Sequence, residues 1–125
     1  IIALSGSLPR GAPQDFYATL IQAINLSGGK AVLDTSGTAL LAGLKAKPFA
    51  VKPNRAELEG LLGCCIDSGV AGLAGATRAV QAQYTVTWVI ASDGKNGVVV
   101  AGPPGVYHAQ VILDDEDLIV NDQGC

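Results

Sequence analysis

Short apolar runs that alternate with helical segments constrain the fold of this chain more than any other feature. Strands are predicted at residues 1–4, 31–33, 49–51 and 85–91. Helices are predicted between residues 13 and 27, 38 and 45, 54 and 63, and 70 and 84. Two further strands, 98–100 and 106–111, follow without a helix. This order predicts a three-layer α/β fold with a mainly parallel sheet and an antiparallel edge.

The composition indicates that this chain belongs to a larger core. Hydrophobic residues make up 49% of its 125 residues and charged residues only 15%, which is apolar for an independent domain of this size. The chain also begins with Ile and contains no Met. We therefore expect residues 1–125 to be a processed chain or a fragment of a larger core, with apolar surface exposed when the chain stands alone.

Charge and cysteine usage exclude several classes of partner. The net charge is −3 and the eight Lys and Arg residues are scattered, which argues against nucleic-acid or membrane-surface binding. No apolar run is long enough to span a membrane. Cys64, Cys65 and Cys125 lack metal-ligand spacing, and their odd number favours a reducing, cytoplasmic location. The single His108 is expected on a strand or at the surface rather than in a catalytic role.

The most informative polar segment is residues 52–57, which we call the Asn54 turn. It follows the predicted strand 49–51 and places Lys52, Asn54 and Glu57 at a strand-to-helix turn. Asn-x-x-Glu is the pattern of a helix capping box, and this structural role alone could account for it. Strand ends and helix N-termini in α/β sheets also collect anionic ligands. The three side chains could therefore hold a phosphate and its metal ion.

Two other polar segments follow predicted strands. The Ser7 segment, residues 5–11, is a Gly- and Ser-rich turn that is either an ordinary strand-to-helix connection or a ligand-contacting loop. Asp34, after the second strand, is either a helix cap or a turn residue. The Gly94 loop, residues 92–97, contains Asn96-Gly97 and by itself predicts a hairpin turn.

These segments resemble the ribokinase-like (PfkB) carbohydrate kinases, in particular the branch with phosphofructokinases and tagatose-6-phosphate kinases. The Asn54 turn is similar to the Lys-Pro-Asn-x-x-Glu-Leu segment of that family, and residues 34–37 are similar to its Asp-[Thr/Ser]-Ser-Gly segment. The resemblance implies a ribokinase-like fold. It also implies that Asn54 and Glu57 organise Mg²⁺ and the phosphates of ATP, with Glu57 acting indirectly, and that Lys52 lies near the same phosphates.

The remaining segments add further implied roles. The Ser7 segment matches the family pattern Ser-Gly-Ser-Leu-Pro-x-Gly, in which Ser7 would contact the phosphate already on the sugar. The Gly94 loop matches Ser-x-Gly-x-x-Gly, which implies that Ser92, Gly94 and Gly97 line the nucleotide site. Asp93 departs from the apolar residue that is usual at its position.

The end of the chain matches only the beginning of the motif that carries the catalytic base in the family. Asn121, Gly124 and Cys125 fit Asn-x-x-Gly-[Ala/Cys/Ser]-Gly-Asp up to its fifth position, and Gly124 would belong to the phosphate-binding anion hole. The base is expected just beyond Cys125, so no catalytic residue is assigned in this chain. The N-terminal sugar-binding portion and the C-terminal catalytic portion are expected to lie outside residues 1–125.

By this resemblance, residues 1–125 are the central part of a single kinase domain that uses ATP and Mg²⁺ to phosphorylate a sugar phosphate. Its expected partners are a sugar phosphate and ATP. The complete protein could form a homodimer. The chain alone is expected to be inactive. The alternative is a non-catalytic nucleotide-binding α/β module that lacks the base. A dinucleotide-binding domain is disfavoured because no Gly-x-Gly-x-x-Gly follows the first strand.

Overall fold

A computed structural model describes residues 1–110. Their six strands form one sheet, in which the strands lie in the order of the sequence. The first four strands are parallel to one another, the fifth is antiparallel to the fourth, and the sixth is antiparallel to the fifth. The mainly parallel sheet with an antiparallel edge confirms the predicted α/β class. The strands are β1 (Ile2–Ser5), β2 (Ala31–Asp34), β3 (Ala50–Val51), β4 (Trp88–Ser92), β5 (Val98–Gly102) and β6 (Gly105–Ala109).

Helices connect the parallel strands. They are α1 (Phe16–Leu26), α2 (Gly37–Lys45), α3 (Arg55–Leu62) and α4 (Gly69–Tyr84). Their apolar sides share one core with the sheet, because sheet residues such as Leu33 and Val89 and helix residues such as Leu58 and Leu73 are completely buried in a single cluster. The helix predicted over 70–84 forms despite its internal glycines, since Leu73 and its neighbours gain burial against the sheet.

The two faces of the sheet are buried to different extents. Leu33, Val89 and Val99 are fully buried and belong to the core with the helices. Their sequence neighbours point to the opposite face, and Ile90 and Val100 there are only half buried. Apolar side chains are thus partly exposed on one face of the sheet. This agrees with the expectation from the composition.

Three predicted details are wrong. The strand 1–4 is not buried: Ile2 is 48% exposed, because β1 is an edge strand that pairs only with β2 among the described residues. Pro13 does not open α1, which begins at Phe16 after a turn in which the Phe16 N–H donates to the Pro13 carbonyl. The strand predicted from residue 85 begins at Trp88, because Thr85 has φ 55° and terminates α4.

Features that the composition singled out also have positions in the fold. Cys64 and Cys65 are exposed free thiols after α3. His108 is an exposed residue of β6, as predicted, and its Nε2 lies 2.7 Å from the Asn96 carbonyl oxygen. In residues 1–110 there is no helix with both the length and the apolar character needed to cross a membrane. The acidic run 114–117 and the last part of the strand predicted over 106–111 lie outside the described residues.

Candidate functional site

The polar segments predicted to form a site all follow parallel strands, so the fold places them at one edge of the sheet. The Ser7 segment follows β1, Asp34 ends β2, the Asn54 turn follows β3 and the Gly94 loop begins at the end of β4. Backbone hydrogen bonds join neighbouring segments directly. Gly6 N–H donates to the Asp34 carbonyl at 3.0 Å, and Ser92 N–H donates to the Pro53 carbonyl at 3.0 Å.

The Asn54 turn forms the predicted capping box. The Asn54 side-chain oxygen accepts from the Glu57 N–H at 2.8 Å, while the Glu57 carboxylate accepts from the Asn54 N–H at 2.9 Å through Oε1. These two bonds satisfy free donors at the start of α3 and fix both side chains. Asn54 is exposed and pairs with Ser92 in an isolated parallel bridge. The structure therefore brings two of the predicted phosphate-contacting residues side by side.

Lys52 and Asp34 form an ion pair across the ends of β3 and β2. The Lys52 Nζ lies 3.8 Å from Asp34 Oδ2, and each side chain is 50% exposed. An ion pair this exposed contributes little to stability, so the Lys52 ammonium can exchange this partner for another anion at low cost. Asp34 is not a helix cap, because Ser36 holds the N-cap position of α2.

The Gly94 loop connects β4 and β5 as the hairpin that its Asn-Gly pair predicted. Asp93 N–H donates to the Gly97 carbonyl at 2.9 Å, and a 3₁₀ turn spans Gly94–Asn96. Gly97 has φ 83°, and a Cβ at this position would collide with the Ala109 carbonyl of β6. Only glycine satisfies both constraints, so the shape of this loop depends on Gly97.

No sequence motif assigns a role to Arg55 or predicts its contact with Asp93. The Arg55 Nε lies 2.8 Å from Asp93 Oδ2, and both side chains are only 14% exposed. Arg55 also donates to the carbonyls of Asp67 at 3.1 Å and Gly69 at 3.0 Å. Asp93 Oδ2 accepts a second bond, from Asn96 Nδ2 at 2.8 Å. Arg55 thus connects the first turn of α3 with two other loops.

These contacts set the charge state of Asp93. Partial burial alone would raise the pKa of its carboxyl group. The hydrogen bonds from Asn96 and Arg55, together with the positive charges of Arg55 and Lys95, outweigh that effect and hold the pKa below its ordinary value. Asp93 therefore carries a negative charge at neutral pH.

The Ser7 segment is fixed at its base by hydrogen bonds, and further along by Leu8, which packs against the core. The Gly6 carbonyl accepts from the Tyr17 hydroxyl and from Thr35 Oγ1, both at 2.9 Å, and Tyr17 also donates to the Ser5 carbonyl. Beyond Gly6, Ser7 is exposed, and its side chain makes no hydrogen bond within residues 1–110. The Ser7 hydroxyl is therefore accessible to a ligand.

The residues present are compatible with a Mg²⁺ ion held mainly by phosphate and water. Among residues 1–110 no three His, Cys, Asp or Glu side chains converge as a complete protein metal site. Mg²⁺ in phosphoryl-transfer sites is usually held by one or two carboxylates plus substrate phosphates. Glu57 uses Oε1 for the capping box, which leaves Oε2 for such a role.

A cavity of about 540 Å³ with a largely apolar lining borders Asn54 and Glu57. Gly124 lies outside the described residues.

The chain is similar to known proteins in both sequence and fold. The pfkB family carbohydrate kinase profile matches residues 1–115. The chain is 39% identical over 110 residues to a 1-phosphofructokinase of Haemophilus influenzae, covering 88% of this chain and 34% of that protein. It therefore spans about a third of the length of this curated relative.

Solved structures give the same fold. Phosphofructokinase-2 from Escherichia coli in complex with fructose-6-phosphate superposes with a TM-score of 0.77 at 26% identity, covering 86% of this chain and 36% of that chain. Pyridoxal kinase from Bacillus subtilis, in an ADP complex, superposes with a TM-score of 0.67 at 17% identity over 90% of this chain and 49% of that chain, a likeness of fold alone. The predicted ribokinase-like fold is confirmed.

Proposed function

The chain belongs to the pfkB family of carbohydrate kinases, and we propose that the full-length protein transfers the γ-phosphoryl group of ATP to a hydroxyl of a phosphorylated ketohexose. The observation that best supports this is the contact between the Asn54 turn and the Gly94 loop, which brings a capped helix N-terminus beside a glycine loop at the carboxyl edge of the sheet. Such an arrangement favours the binding of phosphate groups.

Each residue would contribute binding or positioning. Lys52 supplies a positive charge that can leave Asp34 for a phosphate. Asn54 and the start of α3 present polar groups, and in the Gly94 loop Ser92, Gly94 and Gly97 let the backbone approach the nucleotide. ATP supplies the transferred group, and Mg²⁺ neutralises charge on its phosphates. Ser7, on the other side of the site, would hold the phosphate of the sugar.

Glu57 would act on the metal ion, and this role can be separated from its role in the helix cap. Replacing Glu57 with Gln in the full-length protein keeps a hydrogen-bond acceptor for the capping box but removes the charge. We expect kcat to fall and the Mg²⁺ concentration for half-maximal activity to rise, each on the order of tenfold. ADP release is measured during titration with Mg²⁺, using fructose 1-phosphate, fructose 6-phosphate and tagatose 6-phosphate in turn.

The matched control is Glu59→Gln. Glu59 lies on the same helix, and its carboxylate accepts a hydrogen bond from the Ile66 N–H that an amide oxygen can also accept. This variant loses the same charge and should behave as wild type. Equal Mg²⁺ dependence in wild type and Glu57→Gln would contradict the metal role. ATP binding by the wild type without phosphorylation of any of the three sugars would instead support a non-catalytic nucleotide-binding module.

A further inference from the structure

Each of the three nitrogens of the Arg55 guanidinium group makes a hydrogen bond within the protein. Its Nε contacts the Asp93 carboxylate, and its two terminal nitrogens donate to backbone carbonyls that include those of Asp67 and Gly69. The side chain is 14% exposed. With its nitrogens engaged and little surface accessible, Arg55 is poorly placed to bind a ligand phosphate directly. Its contacts instead determine where the surrounding loops lie.

Arg55 and Asp93 occupy the positions directly after Asn54 and Ser92, two residues proposed to contact ATP. We infer that Arg55 and Asp93 form a positioning pair that holds the Asn54 turn and the Gly94 loop in the spacing required to bind the phosphates of a nucleoside triphosphate. This inference rests on the proposed function. The pair lies away from the Ser7 segment in the strand order, because β2 and β3 separate β1 from β4. It therefore acts on ATP binding and leaves sugar-phosphate binding unchanged.

The charges of the pair provide a signature that a purely structural contact would lack. Asp93 places a negative charge in a loop proposed to face phosphates, and Arg55 compensates this charge. Loss of Arg55 alone leaves the Asp93 carboxylate without its ion-pair partner beside the proposed ATP site. Loss of both charges removes that repulsion. The double variant Arg55→Met/Asp93→Asn should therefore bind ATP more tightly than Arg55→Met alone.

The test uses the full-length protein and three variants: Arg55→Met, Asp93→Asn and the double variant. For Arg55→Met we expect the KM for ATP to rise by about tenfold. Asp93→Asn, which keeps an oxygen acceptor for Arg55, should raise the KM by about threefold. The double variant should fall between the two, and the KM for the sugar phosphate should stay within about twofold of wild type throughout. Arg78→Met is the control, since Arg78 is exposed on α4 and its side chain hydrogen-bonds only to Gln81 within residues 1–110.

Amide hydrogen exchange adds a readout that does not depend on catalysis. Arg55→Met should accelerate exchange at the Asp93 and Gly97 amides, which hydrogen-bond within the Gly94 loop. The inference is overturned if the KM for ATP is unchanged in both single variants. A double variant more impaired than Arg55→Met, or parallel increases in the KM for ATP and for the sugar phosphate, would overturn it too. Failure of the proposed function is distinguishable, since the wild type itself would then phosphorylate none of the three sugar phosphates.

Discussion

The Asn54 turn and the Gly94 loop differ from the Ser7 segment in how their conformations are fixed. The first two are connected by the ion pair of Arg55 with Asp93, by the Asn54–Ser92 bridge and by a backbone hydrogen bond from Ser92 to Pro53. The Ser7 segment is held at Gly6 by hydrogen bonds and at Leu8 by packing against the core, while the Ser7 side chain is exposed and makes no hydrogen bond within residues 1–110. All three lie at the same edge of one sheet, but the Asn54 turn and the Gly94 loop follow the adjacent strands β3 and β4 and are also joined by a side-chain ion pair. This ion pair has no counterpart in the Ser7 segment among residues 1–110.

This comparison separates two halves of the proposed site. The side assigned to the nucleotide is formed by mutual contacts among the described residues and should keep its shape without a ligand. Preorganised groups bind a ligand with a smaller loss of conformational entropy. The Ser7 side has a fixed base and an accessible hydroxyl, and its final conformation should depend on what binds there. Substitutions in the two halves should therefore have different effects on stability.

The largest effect on stability is expected from Arg55→Met. The change leaves a largely buried carboxylate without its ion-pair partner and removes donors from the carbonyls of Asp67 and Gly69. Partial exposure of the pair lets water replace some of these contacts, so the free energy of unfolding should fall by about 2 to 3 kcal/mol. Urea unfolding at neutral pH measures this change. If Arg55→Met lowers the free energy of unfolding no more than Arg78→Met does, the nucleotide side of the site is not held in place by this ion pair.

The same measurement in acid tests the origin of the effect. The pKa of Asp93 lies below its ordinary value in the folded protein, so the pair contributes stability at pH values above the ordinary pKa of an aspartate. That contribution is lost as the pH falls through the lower pKa of the folded state. Asp93→Asn has no such group, so the stability difference between it and wild type should shrink with falling pH. A difference that is constant with pH would mean that the carboxylate charge is not involved.

A smaller effect, confined to one ligand, is expected from Ser7→Ala. Since the Ser7 side chain is exposed and makes no hydrogen bond within residues 1–110, the free energy of unfolding should not change measurably. The KM for the sugar phosphate should rise about tenfold through loss of a hydrogen bond to a charged phosphate, while the KM for ATP stays constant. Ser68→Ala, at an exposed serine without a side-chain capping bond, is the control. A rise in the KM for ATP alone would contradict the assignment of Ser7 to the sugar-phosphate side of the site.

Local patterns predicted much of the fold and part of the site. The strand and helix order follows from alternating apolar runs, and the capping box follows from the spacing of Asn54 and Glu57. The hairpin at 92–97 follows from its Asn-Gly pair. In each case the interacting residues are close in sequence, so the pattern contains the information needed to predict them.

Contacts between distant residues were not predictable in the same way. Arg55 and Asp93 are separated by 38 positions, and their contact requires that β3 and β4 be adjacent. The signal in the sequence was Asp93, a charged residue at a position that is usually apolar in the family. Its role becomes clear only with its partner Arg55, which the local pattern does not identify. The exposure of Ile2 was missed for a related reason. An apolar run predicts a strand without showing whether it lies at the centre or at the edge of the sheet.

The central claim is that the Asn54 turn and the Gly94 loop together bind the phosphates of ATP. The most direct measurement is a crystal structure of the full-length protein with Mg²⁺ and a non-hydrolysable ATP analogue. We predict phosphate oxygens within hydrogen-bonding distance of Lys52 and Asn54 and of the backbone at Gly94, with Arg55 still bound to Asp93. A nucleotide bound elsewhere, with Lys52 still paired to Asp34, would contradict the claim.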